Sequence, residues 1–175
     1  MDGKSAVRWI RSHAKELGID PDRLAAGGGS AGGHVAAATG TTQGMEEIGQ
    51  DLSISSKPDA LVLFNPVFDN GPEGYGHNRV KDYWQDFSPM HNIGKDAPPT
   101  IVFLGTKDSL IPVAAAEEYK RRMEEQDRRC DLHLYEGQPH GFFNRARYYE
   151  TLLETDRFLI SLGFLSGEPT LENTK

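Results

Sequence analysis

Arg23-Leu24-Ala25-Ala26-Gly27-Gly28-Gly29-Ser30-Ala31-Gly32-Gly33-His34-Val35-Ala36-Ala37-Ala38 is the stretch on which the reading of this chain turns. Arg23 to Gly27 reads as a strand, His34 to Ala38 as a helix, and the residues between them are all small. A serine between glycines at such a junction fits a nucleophile elbow, a strained strand-to-helix turn that lifts the hydroxyl clear of the sheet. Small neighbours are needed because the backbone folds sharply and a substrate must approach it closely. The helix start also brings backbone N–H groups beside the serine, where an oxyanion can be stabilised. An ordinary glycine-rich turn before a helix has the same local pattern, so the partners downstream decide.

Working outward, Ser5 to Leu17 reads as an amphipathic helix, with Ala6, Trp9, Ile10, His13 and Leu17 at helical spacing. Asp2 or Ser5 is expected to cap its start, and Gly18 follows its end. After a polar stretch, with a short helix expected around Met45 to Ile48, come two nearly continuous apolar runs, Ala60 to Phe64 and Thr100 to Leu104. Such runs suit strands covered on both faces, as in parallel sheets flanked by helices. Cys130 to Tyr135 alternates instead, which suits an edge strand. A helix opened by Pro112 as its first residue lies between these last two strands, and a final helix spans Tyr148 to Leu162. The expected fold class is therefore α/β, with a mostly parallel sheet of about four strands. The loops at the strand C-termini should gather on one rim, where chemistry is to be sought. Residues 1–165 form the expected domain, 66–99 a lid or binding insertion rich in aromatics, and 166–175 a polar tail.

Composition narrows the function. The chain has 175 residues, enough for one domain with a real core, and a formal net charge of −7. That balance argues against nucleic acid or an anionic membrane as the main partner. No apolar run has the length of a membrane span, and Met1-Asp2-Gly3-Lys4 lacks the apolar stretch of a signal peptide. The single Cys130 excludes an internal disulfide and a multi-cysteine metal site; no metal or cofactor is expected. The compartment stays open: cytoplasmic if Met1 is the native start, secreted or periplasmic if a longer precursor exists.

A serine nucleophile needs a base, and the base an orienting acid. Asp108 follows the second buried run directly, and His140 follows the alternating one in Gly137-Gln138-Pro139-His140-Gly141-Phe142-Phe143. Asp69, just after the first buried run, is the alternative acid. His34 reads as a packing or hydrogen-bonding residue, and the remaining histidines have no matching partners.

The order Ser30, Asp108, His140, with Gly-Gly-Ser-Ala-Gly-Gly-His, Gly-Thr-Lys-Asp-Ser-Leu-Ile-Pro and Gly-Gln-Pro-His-Gly-Phe-Phe as the three motifs, resembles the α/β-hydrolase esterases. The similarity is greatest to acetyl-esterase and acetylxylan-esterase-like proteins related to the hormone-sensitive-lipase group. The resemblance covers the chain to about Leu165. It implies hydrolysis of short-chain carboxylic esters, an acetylated carbohydrate among the candidate substrates, with Ser30 as nucleophile, His140 as base and Asp108 as acid. It also implies that the Ala31 N–H, with Gly29 beside it, serves the oxyanion. A prolyl-oligopeptidase-like peptidase and a weakly active dimerisation or binding module are the competing readings.

One departure stands out: no His-Gly-Gly motif occurs, although the family draws further oxyanion donors from such a loop. Losing one such donor typically costs about 10²–10³ in rate. The nucleophile strand would also become a sheet edge open to pairing. The expectation is the C-terminal part of a longer enzyme, with an obligate oligomer or a decayed remnant as alternatives. The isolated chain is then expected to be weakly active, and either aggregation-prone or a homodimer covering that edge.

Overall fold

The computed structural model describes residues 1–171; of the expected polar tail, 172–175 lie outside the described residues. Four strands, β1 (Ala25–Gly29), β2 (Ala60–Phe64), β3 (Thr100–Gly105) and β4 (Cys130–Tyr135), pair in the order β1-β2-β3-β4, all parallel. Among the described residues β1 and β4 are the edges. The helices are α1 (Asp2–Ser12), α2 (Ala14–Leu17), α3 (Ala31–Thr41), α4 (His77–Val80), α5 (Trp84–Phe87), α6 (Val113–Glu125) and α7 (Tyr148–Ser161).

The two apolar runs are central strands because both of their faces are covered. Leu61, Leu63, Val102 and Leu104 point into a core shared with Ala36 and Ala37 of α3 and Ala116, Tyr119 and Met123 of α6. Ala60, Val62, Ile101 and Phe103 point the other way, onto Phe142 and onto Phe158 of α7. Alternate residues of one strand thus feed two layers, so neither face offers a polar position. No helix among the described residues is long and apolar enough to cross a membrane.

Several local expectations are corrected. The first helix is broken at His13 into α1 and α2, and Met1 stands at its N-cap, so neither Asp2 nor Ser5 caps it. Its buried face is not the apolar one. Trp9 is 54% exposed, while Lys4 and Arg8 are buried. The reason is Glu46, whose two carboxylate oxygens accept from Lys4 Nζ at 3.0 Å and Arg8 Nη1 at 2.9 Å. The carbonyls of Thr42 and Gly44 take further Lys4 bonds, and the Ile54 carbonyl and Gln50 Oε1 take further Arg8 bonds, so protein groups replace much of the water both cations lose. The same demand removes the helix expected at Met45 to Ile48: Met45 sits at φ 52° and the segment runs irregularly past α1. Pro112 is the N-cap of α6 rather than its first helical residue.

Burial alone would raise the Glu46 carboxyl, but the hydrogen bonds and charges of Lys4 and Arg8 outweigh it and hold it below the ordinary glutamate value. A carboxylate depressed in the folded state stabilises the fold above its unfolded value, and that stability is lost as pH falls through the depressed one. Glu46→Ala should therefore reduce unfolding stability by about 2–3 kcal/mol at neutral pH in urea titrations, and the difference from wild type should narrow on acidification below about pH 4.5. An unchanged gap in acid would refute the ion-pair account.

Candidate active site

The four strands deliver their C-terminal residues to one rim. Ser30 joins β1 to α3 at φ 54° and ψ −116°. A non-glycine residue there is strained by about 1–3 kcal/mol, and the surroundings enforce it. The Ser30 N–H donates to the Phe64 carbonyl at 2.9 Å, continuing the ladder, and its own carbonyl accepts the His34 N–H at 3.0 Å, starting α3. The turn closes so tightly that a Cβ on Gly28 would lie 2.6 Å from the Gly32 carbonyl carbon. Ala31 opens α3, so its N–H has no partner within the helix.

The loops after β3 and β4 are laced together. The Gln138 carbonyl accepts from Lys107 N–H at 3.0 Å, and Thr106 Oγ1 accepts the Gly137 N–H at 2.8 Å. This brings Asp108 against His140. Asp108 Oδ1 accepts the N–H groups of Leu110 and Ile111, at 2.8 and 3.0 Å. That leaves Oδ2 for His140 Nδ1 at 2.7 Å. The Asp108 side chain is fully buried. A carboxylate only accepts, so Nδ1 carries the ring proton and Nε2 presents a lone pair. Ser30 Oγ lies 3.0 Å from that nitrogen.

The structure thus brings Ser30, His140 and Asp108 into one hydrogen-bonded line. Asp69 is not in it: its Oδ1 accepts the Gly71 N–H at 2.6 Å and lies 3.9 Å from His91. Gly29 has a packing duty. A Cβ there would fall 2.5 Å from the Phe143 ring, which lies three residues past His140. Phe143 also packs on Phe64, with ring centroids 4.8 Å apart, so the histidine loop is pinned on the elbow.

Two residues were not singled out by sequence reasoning. Asn65, wholly buried at φ 35°, follows β2; its Oδ1 accepts the Gly141 N–H at 3.0 Å and its Nδ2 stands 3.3 Å from His140 Nε2. The only sequence signal was an Asn-Pro turn pair after a buried strand. Asn70 accepts from His34 Nε2 at 2.9 Å and donates to the Tyr75 carbonyl. Burial lowers the His34 pKa, and the Asn70 bond only partly opposes this. The buried ring is packing, as expected, and it ties α3 to segment 66–99. That segment is itself anchored: Phe68 stacks on Tyr119 at 3.8 Å, and the buried Ser88 accepts the Asn70 N–H. A cavity of about 340 Å³ opens between it and the Asp108 loop, lined by Phe68, Asp69, Glu73, Tyr75 and Leu110 among others.

A family profile named BD-FAE matches residues 1–71, and one described as alpha/beta hydrolase fold matches residues 77–144. Esterase 2 of Thermogutta terrifontis, in its form phosphonylated by sarin, superimposes with a TM-score of 0.89 at 38% identity, over 95% of this chain and 67% of that one. The chain belongs to the α/β-hydrolase family. Its relatives in that family include the probable carboxylic ester hydrolase LipM of Mycobacterium tuberculosis, 30% identical over 68% of this chain and 32% of that protein. Another is the acetylxylan esterase of Xylanibacter ruminicola, 24% identical over 87% of this chain and 33% of that protein. The chain thus spans about a third of the length of these curated relatives and about two thirds of the solved esterase.

The tightness of the elbow separates two glycines that look equivalent in the sequence. Gly28→Ala should destabilise by roughly 1–3 kcal/mol in thermal melts, because backbone must move. Gly32→Ala, where a Cβ meets nothing within 4 Å, should be neutral or stabilising by up to about 1 kcal/mol. Equal losses would refute the packing account of this α/β-hydrolase turn.

Proposed function

We propose that this chain carries the catalytic constellation of a serine carboxylic ester hydrolase acting on short-chain esters. The observation that supports it above all is the line Asp108–His140–Ser30, with a free lone pair on Nε2 facing the hydroxyl. In the proposed cycle, Ser30 Oγ attacks the ester carbonyl carbon while its proton passes to His140 Nε2. The Ala31 N–H, at the start of α3, receives the developing oxyanion. His140 returns the proton to the departing alkoxide, which leaves as alcohol. Water, deprotonated by the same nitrogen, then attacks the acyl carbon; the bond to Ser30 Oγ breaks, His140 returns the proton to that oxygen, and the acid leaves. Asp108 holds the tautomer and stabilises the imidazolium that forms in each half-reaction.

The preference for short acyl groups draws support from the Thermogutta esterase, which has been solved with propionate and with butyrate bound. The proposed alcohol part is an acetylated carbohydrate. An acetylxylan esterase stands among the relatives, and the cavity beside Asp108 presents Asp69, Glu73 and Tyr75, side chains suited to hydroxyl groups and a sugar face. Segment 66–99 is proposed as the binding element.

Ser30→Ala should abolish both p-nitrophenyl acetate turnover and labelling by a fluorophosphonate. Asp108→Asn should lower kcat by about 10⁴, whereas Asp69→Asn should leave it close to wild type. A larger loss in the Asp69 variant would overturn the assignment of the acid. On substrates, acetylated xylo-oligosaccharides should be cleaved and a peptide anilide should not. Glu73→Gln should raise KM for the acetylated sugar without changing it for p-nitrophenyl acetate. Cleavage of the anilide in preference to the ester would point to a peptidase instead.

A further inference from the structure

The ester-cleaving cycle gives Asn65 nothing to do, yet its placement is costly and specific. It has a positive φ of 35° and directly precedes Pro66, a combination the backbone disfavours on two counts. Asparagine is among the few residues that tolerate the left-handed region. The side chain is fully buried, so both ends of its amide require partners. They are found within one loop. Oδ1 accepts the Gly141 N–H at 3.0 Å, which fixes the orientation of the amide, and the NH₂ group therefore faces His140 Nε2 at 3.3 Å. Ser30 Oγ approaches the same nitrogen at 3.0 Å.

We propose that Asn65 is a positioning residue that controls where the His140 proton can go. Its oxygen holds Gly141, and with it the backbone that carries the ring. Its NH₂ group donates and does not accept. It therefore favours Nε2 as a lone-pair acceptor. Once Nε2 has taken the Ser30 proton, Asn65 offers that N–H no acceptor, so the proton is left facing only the serine oxygen and the leaving alkoxide. Asp108 faces the ring from the loop after β3, and Arg145 lines the same concavity as His140; neither is altered by the substitutions below. The inference rests on the proposed hydrolysis for its consequence in turnover, and on geometry alone for the state of the ring.

Asn65→Asp keeps the oxygen for Gly141 and replaces the NH₂ by an anionic acceptor aimed at Nε2. Asn65→Gly keeps the positive φ and removes both contacts. For p-nitrophenyl acetate, Asn65→Asp should move the acidic limb of kcat/KM upward by about one unit, lowering turnover by up to about 10-fold on the acid side with KM within about 2-fold. Asn65→Gly should lower kcat about 10-fold without that upward displacement. A pH profile for Asn65→Asp that overlays the wild-type profile would overturn the proposal. The imidazole ¹⁵N spectrum of His140 supplies a readout that needs no turnover. At a pH above the wild-type acidic limb the wild-type ring should show a protonated Nδ1 and a bare Nε2, and Asn65→Asp should hold a larger share of its rings protonated at both nitrogens. Identical spectra would sink the Asn65 role even in an active enzyme. A wild-type protein inert to esters and to the fluorophosphonate, but showing the spectral difference, would instead sink the hydrolysis reading and leave this one standing.

Discussion

A serine held at φ 54° between a parallel strand and a helix is the constraint from which the rest of this site follows. Such a conformation persists only where the surroundings over-determine it. Here three independent contacts do so: the ladder bond from Ser30 N–H to Phe64, the start of α3 on the Ser30 carbonyl, and the close approach of Gly28 to Gly32. The first of these needs β1 and β2 in fixed register, with Gly29 opposite Phe64, and the other two lie within the β1–α3 turn itself. The register is in turn held by β2, whose side chains are locked into cores on both faces. The strain at one residue is therefore supported by burial across the whole sheet. The reward is an hydroxyl raised to the rim with an unpaired N–H, that of Ala31, beside it.

The second requirement is that two loops from neighbouring strands meet. Parallel pairing of β3 with β4 brings Gly105 opposite Tyr135, and the chain beyond each strand continues the contact through Lys107, Thr106, Gly137 and Gln138. Asp108 is then divided by function: one oxygen is saturated by two backbone amides, the other is reserved for the imidazole. A carboxylate anchored through its far oxygen loses little further freedom when it orients a histidine. Phe143 completes the frame from the opposite side, by resting on the bare backbone of Gly29.

How far the sequence made this legible depended on whether a signal was local. β2 and β3 announced themselves because a strand buried on both faces is apolar along nearly its whole length, and the runs Ala60 to Phe64 and Thr100 to Leu104 have the length of strands. Ser30, Asp108 and His140 were readable because each terminates a strand in a motif rich in glycine or proline. Lys4 and Arg8 were not. Periodicity assigns charged residues to the wet face of a helix, and only a carboxylate 38 or more residues away reverses that. Asn65 was missed for a related reason: an asparagine before proline reads as a turn, and nothing in its neighbourhood reveals that its amide is shared between His140 and Gly141, 75 and 76 residues later. Local rules identify residues whose role is set by their own backbone, whereas partners chosen through tertiary contact stay silent.

The contrast between Asp69 and Asp108 shows the same principle acting on chemistry. Both aspartates come soon after a buried strand, and both lie on the active rim. What separates them is strand order. β3, not β2, is the neighbour of β4, so the loop after β3 runs directly alongside the histidine loop and is laced to it by backbone bonds. Asp69, one strand farther away, turns into its own loop and holds the Gly71 N–H. β2 still reaches the histidine loop, but with a different side chain: Asn65 at its immediate end spans to Gly141, across the end of β3. Each of the four strands thus contributes one polar group to the same imidazole neighbourhood, and the topology decides which is the hydroxyl, which the amide, which the carboxylate and which the ring. An uncharged amide at the β2 position keeps one carboxylate on the ring rather than two. That leaves Nε2 with a neutral neighbour beside the Ser30 hydroxyl.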